Sequence, residues 1–437
     1  MFRLGVLSFA ATLLGGAVLL AEDAKVERFE LDNGLTVILR PVTNSVLVAC
    51  VTLFDVGELH DPPAKSGLGH LVEHVYVTAA AGETPASTAD EWFARYGRQA
   101  NAQTGRAYTI IAAVFPSGNL ERELTEAAAR MSDLKIEPGD LVREVPRMER
   151  ELANMYGGMP TLAAQNLAAG SIVPLAAGAR KGGVPAQIAS ITVDEVRDHH
   201  RKYYKPANAT LVLVGGFDAA KARQQVTDRF GPIDRGSAPP VPGSRAAPSG
   251  GQTRRVTIPK PAFGQFPEGI ATIAFRAPSP QSELYAPFVV LVAKLYDHWM
   301  PQLQQRSMVM PFSYALLDLP EVLFVSTAVE GDRTDEQIVA RLRVELAAAA
   351  MVAEGGKPRP VFLMELGAML GFTELPELAI GANPYFLAFS LGRREQLGID
   401  PDALKTRIDA VTTEELQRCA KEIFSDERGA AVVVRIE

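Results

Sequence analysis

The sequence predicts an α+β protein of two related domains, and three observations carry that prediction. With 437 residues the chain is too long for one ordinary domain and fits two of roughly 200 each. Strand-like and helix-like segments mix without the regular alternation of a doubly wound parallel sheet. A stretch crowded with Pro, Gly, Ser and Ala, residues 234–255, interrupts the apolar pattern and separates two halves that each begin and end in strand. Each half is expected to form a mixed, mainly antiparallel sheet with helices packed on it, over residues 22–233 and 256–437.

The elements follow in order. Gly34–Val42 and Val46–Phe54 are β-branched and apolar runs of strand length, Thr88–Gly97 has helical spacing, and Ala107–Phe115 is again a strand. Asn119–Leu134 and Thr192–Tyr204 space apolar residues three and four apart, the helical period, and Asn208–Phe217 closes the half as a strand. Beyond the Pro/Gly-rich stretch, Gly269–Pro278, Ala315–Val329 and Gly429–Glu437 read as strands. Ser282–Gln304 and Thr334–Glu354 read as helices between them.

At the N-terminus Arg3 precedes an apolar run that ends at the acidic pair Glu22 and Asp23. Residues 1–21 are therefore expected to be a secretory signal, and the protein to be exported into the periplasm. Left uncleaved, the same run would anchor the chain, which is the one membrane contact the sequence allows for. Hydrophobic residues make up 47% and charged residues 22%, a profile that folds rather than stays disordered. The net charge of −7 supplies no basic field for a polyanion, so nucleic acid is not an expected partner. Cys50 and Cys419 lie in different halves and are expected as two buried thiols, each in its own core.

The chemistry concentrates in "GLGHLVEH", Gly67–His74. On a helix, positions i, i+3 and i+4 share a face, so His70, Glu73 and His74 converge. Two imidazoles so placed can hold one zinc ion, and the carboxylate between them can take a proton from water at the metal. The spacing H-x-x-E-H inverts the commoner H-E-x-x-H order. The plainer reading is an amphipathic helix with three polar residues on its wet side. A catalytic zinc site wants a third protein ligand. His199 and His200 are adjacent, hence about 100° apart on a helix, and are read as packing or surface residues.

With these residues in place, the chain resembles the pitrilysin and insulinase family of inverted-motif zinc peptidases, in its short two-domain form. The resemblance rests on Leu31–Leu39, Gly67–His74, Ala100–Tyr108 and Tyr203–Asp218, which follow the family's order. It implies a third ligand 77 residues after the second histidine, which is Glu151, and a supporting glutamate seven residues earlier, Glu144. It implies Glu73 as general base, Asn101 and Ala102 on an edge strand that seats an extended peptide, and a clamshell that encloses the substrate. Arg306 and Tyr314 would reach the substrate from the second half. Departures accompany the match. Pro146, two residues after Glu144, is expected to kink its helix and turn Glu144 away. Met310, Pro311 and Phe312 stand between Arg306 and Tyr314 where the family has Gly-Leu character. The expected activity is that of a zinc metalloendopeptidase, acting alone or as a homodimer or heterodimer with a related chain. The alternative is a non-catalytic, peptide-binding subunit of a peptidase pair.

Overall fold

The computed structural model describes residues 26–96, 100–173, 180–237, 253–261, 267–303, 312–314, 317, 320–329, 331–352 and 383–437. The signal expected at 1–21 and Arg306 lie outside the described residues, as does most of the Pro/Gly-rich stretch, of which only 234–237 and the strand residues from Thr253 onward are described.

The first half supplies β1 (Glu27–Glu30), β2 (Thr36–Pro41), β3 (Leu47–Phe54), β5 (Asn101–Thr104), β6 (Thr109–Pro116) and β8 (Ala209–Gly215) to one sheet, in the order β1-β2-β8-β3-β6-β5. The short β4 (Ala80–Ala81) and β7 (Leu134–Lys135) pair separately. The second half supplies β9 (Thr253–Ile258), β10 (Gly269–Arg276), β11 (Phe312–Tyr314), β12 (Val322–Val329) and β13 (Gly429–Ile436), in the order β11-β12-β10-β13-β9. Read along the two sheets, β2-β8-β3-β6-β5 and β9-β13-β10-β12-β11 are the same topology. In each of these five-strand sets, the strand latest in sequence inserts between the two earliest, β8 between β2 and β3 and β13 between β9 and β10, parallel to the first and antiparallel to the second. The remaining pairs are antiparallel.

Helices α1 (Leu68–Thr78), α2 (Ala89–Tyr96), α3 (Leu120–Ser132), α4 (Pro138–Gly157), α5 (Pro160–Ile172), α6 (Pro185–Ile188), α7 (Val193–Tyr203) and α8 (Ala219–Phe230) belong to the first half. The second half carries α9 (Tyr285–Leu303), α10 (Asp335–Val352), α11 (Pro384–Leu397), α12 (Pro401–Asp409) and α13 (Thr413–Ile423). One face of each sheet packs on helices of its own half. Leu39, Phe54 and Leu213 meet Leu71, Leu124 and Val226 on the first. Ile273 and Val433 meet Phe288, Leu346 and Ile423 on the second. Cys50 lies in the first of these cores and Cys419 in the second, both as free thiols.

The opposite faces are covered by exchange. Ala164, Ala168 and Ile172 of α5 pack on Ile270, Ala274 and Val432 of the second sheet. Ala388 of α11 packs on Val51, Val212 and Val214 of the first. Close approach needs small residues at these crossings. At Gly392 of α11, a Cβ would collide with Leu53 and press on Val212. Each half thus completes the core of the other. No helix among the described residues is long and apolar enough to cross a membrane.

His199 and His200 on α7 are both buried, as their packing reading expects. His199 lies against the Tyr203 ring, and His200 Nε2 faces the Arg130 carbonyl at 3.0 Å. Burial drives both imidazoles down, His199 to about 3 and His200 to about 4, so both fold neutral. An unfolded histidine titrates near pH 6.5, so the stability each contributes is complete above that pH and is lost as pH falls below it. Relative to a His199→Phe variant, the wild-type chain should lose about 2 kcal/mol between pH 7.5 and 5, read from urea midpoints. An unchanged difference would show that His199 accepts its proton without penalty.

Candidate metal centre

Helix α1 is held at its start by a buried carboxylate. Asp61 Oδ2 accepts from the Gly67 N–H at 2.7 Å and Oδ1 from the Gly69 N–H at 2.8 Å, which caps the helix and fixes its direction. All eleven of its residues are buried, including His70, Glu73 and His74. The plainer reading of an amphipathic helix with a wet polar side therefore fails, because no side of α1 is wet. Buried polar groups need partners, and the partners found here define a site.

The third member comes from α4, which runs without interruption through Pro146. Glu144 is not turned away as expected, since its Oε2 meets His74. Pro146 and its i−4 partner Val142 are exposed, so the carbonyl that loses its helical bond faces water, while Asp140, Glu144, Met148 and Leu152 form the buried stripe opposite. Glu144 and Glu151 therefore both reach α1. Glu149, two residues before Glu151, is exposed.

His70 Nε2 lies 3.8 Å from one Glu151 oxygen, and His74 Nε2 lies 3.4 Å from the other. One ligand atom from each of the three residues falls within a 4.8 Å group. Donors around a tetrahedral metal with bonds of about 2.0–2.1 Å stand about 3.3 Å apart, so small side-chain adjustments suffice to close this set on one ion. The two imidazole planes are nearly perpendicular, at 88°. The outward nitrogens are both occupied. His70 Nδ1 is 2.9 Å from the Gly182 carbonyl, which can only accept, so Nδ1 carries the proton and Nε2 presents its lone pair inward. His74 Nδ1 meets Glu144 Oε2 at 3.2 Å, and the same oxygen accepts from Arg147 at 3.1 Å.

The electrostatics favour a cation. Burial alone would make His74 neutral, but its hydrogen bonds to Glu144 and Glu151 outweigh this and hold its pKa up at about 9. Burial likewise opposes ionisation of Glu151, yet His74 and His70 hold it down at about 2. Two carboxylates thus demand positive charge between them, which a proton or a metal ion can supply.

Three supporting groups were not visible as such in the sequence. Thr104, at the end of the edge strand β5, donates to Glu73 Oε2 at 2.7 Å. Glu58 accepts the Gly182 N–H at 2.6 Å and so fixes the loop whose carbonyl orients His70. Gly182 itself has φ +79°, and an added Cβ would strike Leu152 at 2.6 Å, with His70 Nδ1 in ordinary contact 3.7 Å away, so both the turn and its packing beside His70 would have to shift. Gly182→Ala should therefore weaken divalent-metal affinity roughly 10-fold or more in a chelator-competition titration, the scale of lost outer-shell support. Wild-type affinity in that variant would remove the loop from the site. The doublet Gly182-Gly183 was the available signal for a left-handed turn.

The substrate residues divide. Asn101 and Ala102 do lie on β5, which among the described residues pairs with β6 alone and forms the outer edge of the first sheet. Ala102 packs toward the α1 side, whereas Asn101 turns the other way and donates to the Tyr385 hydroxyl of α11. Tyr314 departs from its expected role. It is buried in the second core, edge-on to Phe288, and its hydroxyl donates to the Pro320 carbonyl at 3.0 Å. A phenol so engaged does not meet substrate in this conformation.

Comparison with known proteins accords with this geometry. Residues 36–169 match the family model described as insulinase (peptidase family M16), and residues 190–300 match the one described as the peptidase M16 inactive domain. The chain is 28% identical over 206 residues to the zinc protease PqqE of Helicobacter pylori, over 45% of either chain. The match thus spans less than half the length of that curated relative. A solved protease from Helicobacter pylori superposes with a TM-score of 0.74 at 17% identity, over 94% of this chain and 99% of the other. The first half of the periplasmic protease PqqL from Escherichia coli gives 0.64 at 18%, over 95% and 92%. The two family models together span more than half of the chain, which thus belongs to the insulinase family of peptidases, family M16, as a short two-domain member.

Proposed function

We propose that this chain is an exported zinc metalloendopeptidase that cleaves extended peptides or unfolded segments held between its two halves. The observation that carries the reading is the convergence of His70 Nε2, His74 Nε2 and Glu151 on one point, with Glu73 on the same helix face. His70, His74 and Glu151 would hold the zinc, and Glu144 would keep His74 oriented. When bound, zinc supplies Lewis acidity to water and to the scissile carbonyl. Glu73 takes the proton from the attacking water and returns it to the leaving amine. A peptide added as a strand along β5 would present its backbone beside Glu73, with main-chain hydrogen bonds giving loose sequence preference. The division at residues 234–255 and export to the periplasm belong to the same proposal. Its relatives named as zinc proteases and the similarity to periplasmic PqqL support it.

The experiment is metal analysis together with hydrolysis. The purified chain should hold about one zinc and cleave a quenched fluorescent peptide, with activity lost to chelator and restored by zinc. A folded chain that takes up no zinc would leave the second reading, a non-catalytic subunit of a peptidase pair. The buried Tyr314 hydroxyl favours a related arrangement, in which a homodimeric or heterodimeric partner supplies the donors for the substrate.

A further inference from the structure

We propose that Thr104 is a positioning residue for Glu73, so that the strand expected to seat the peptide also aligns the base. The inference rests on the general-base reading of Glu73 and goes beyond it. Side chains alternate along β5, which sends Asn101 and Gln103 to the face where they meet Tyr385 and Tyr108 and sends Ala102 and Thr104 to the α1 face. Thr104 is the last residue of that strand, opposite Thr109 of β6. Its hydroxyl donates to Glu73 Oε2 at 2.7 Å, and both residues are buried, at 7% and 6% exposure.

A glutamate has three side-chain torsions, and a base that wanders among its rotamers spends little time where a water proton can be taken. One oxygen fixed by Thr104 leaves Oε1 as the oxygen free for the proton. The fixing group is rigid in its own right, because Thr is β-branched and its strand is paired to β6. A peptide that adds to the outer edge of β5 would lengthen the same sheet and further restrict Thr104. Seating of substrate and alignment of the base then share one element, which is how a site favours extended segments over other conformations without reading their side chains.

The test uses the zinc-loaded full chain and a quenched fluorescent peptide. Thr104→Val keeps shape and removes the donor. It should retain one zinc per chain and lower kcat about 10- to 100-fold with KM within about twofold, while Thr104→Ser restores kcat to within about threefold. The double variant Glu73→Gln/Thr104→Val should be no slower than Glu73→Gln alone, since the hydroxyl acts only through the carboxylate. Thr104→Ala, with circular dichroism as the check on folding, covers the case in which Val is not tolerated. Wild-type kcat in Thr104→Val, a loss confined to KM, or Ser no better than Val would overturn the positioning role. Wild-type turnover in Glu73→Gln would instead overturn the base itself, so the two failures are distinct.

Discussion

Replacing Glu73 by Gln should leave about one zinc bound per chain and lower peptide hydrolysis at least ~100-fold, the usual scale for loss of a general base. The substitution is nearly isosteric. The amide oxygen of the new side chain could still accept from the Thr104 hydroxyl, so the buried contact survives and the helix keeps its packing. What is lost is the ability to accept the water proton. Metal binding should be untouched, because the group that could hold a metal ion consists of His70, His74 and Glu151 and does not include Glu73. Zinc measured by atomic emission and turnover measured on one preparation separate the two roles. Loss of zinc from this variant would mean that Glu73 is a ligand and that the assignment of Glu151 is wrong.

Glu151→Gln should act in the opposite order, losing zinc first and activity as a consequence. Two imidazoles alone make a weak, open site, and the negative charge of the third ligand offsets much of the cation's desolvation. Affinity should fall by ~100-fold or more in a competition titration at pH 7.5, whereas Glu149→Gln, two residues away on the exposed side of α4, should keep wild-type affinity. A second effect follows from the same contacts. His74 draws its raised pKa from Glu144 and Glu151 together, so removing the Glu151 charge should lower it, which separates the variant from mere unfolding. Equal zinc affinity in the two variants would shift the register of α4 and take Glu144 out of the site with it.

The site was legible where one helix carries it. His70, Glu73 and His74 share a face by spacing alone, and the structure adds that this helix is buried on every side. Glu151 and Glu144 lie on α4, 77 and 70 residues beyond His74, a relation that helical periodicity cannot express and that only the family resemblance suggested. Pro146 misled the reading because a sequence does not say which way a missing hydrogen bond faces; here it faces water and costs the helix little. Tyr314 misled it for a related reason. A tyrosine eight residues after Arg306 can be read as reaching the substrate or as a core residue, and pairing of β11 with β12 puts it inside.

The fold was legible as strands, helices and halves, but not as an exchange. Pro160–Ile172 is an Ala-rich segment with buried residues on several sides, so it shows no single apolar stripe to announce a helix. Nothing local in it tells that Ala164 and Ala168 belong to the core of the second sheet, nor in α11 that Ala388 belongs to the first. Such pairings are set by three-dimensional closure. Thr104 was similarly hidden, inside the Ala100–Tyr108 segment but without a role until β5 was seen beside α1.

One zinc ion should sit among His70, His74 and Glu151. Anomalous scattering from crystals of the zinc-loaded chain, collected on either side of the zinc absorption edge, tests it most directly. A single strong peak is expected about 2.0–2.2 Å from His70 Nε2, His74 Nε2 and a Glu151 oxygen, with Glu73 outside bonding distance. A loaded, folded chain whose peak lies elsewhere, or is bonded to Glu73 in place of Glu151, would contradict it.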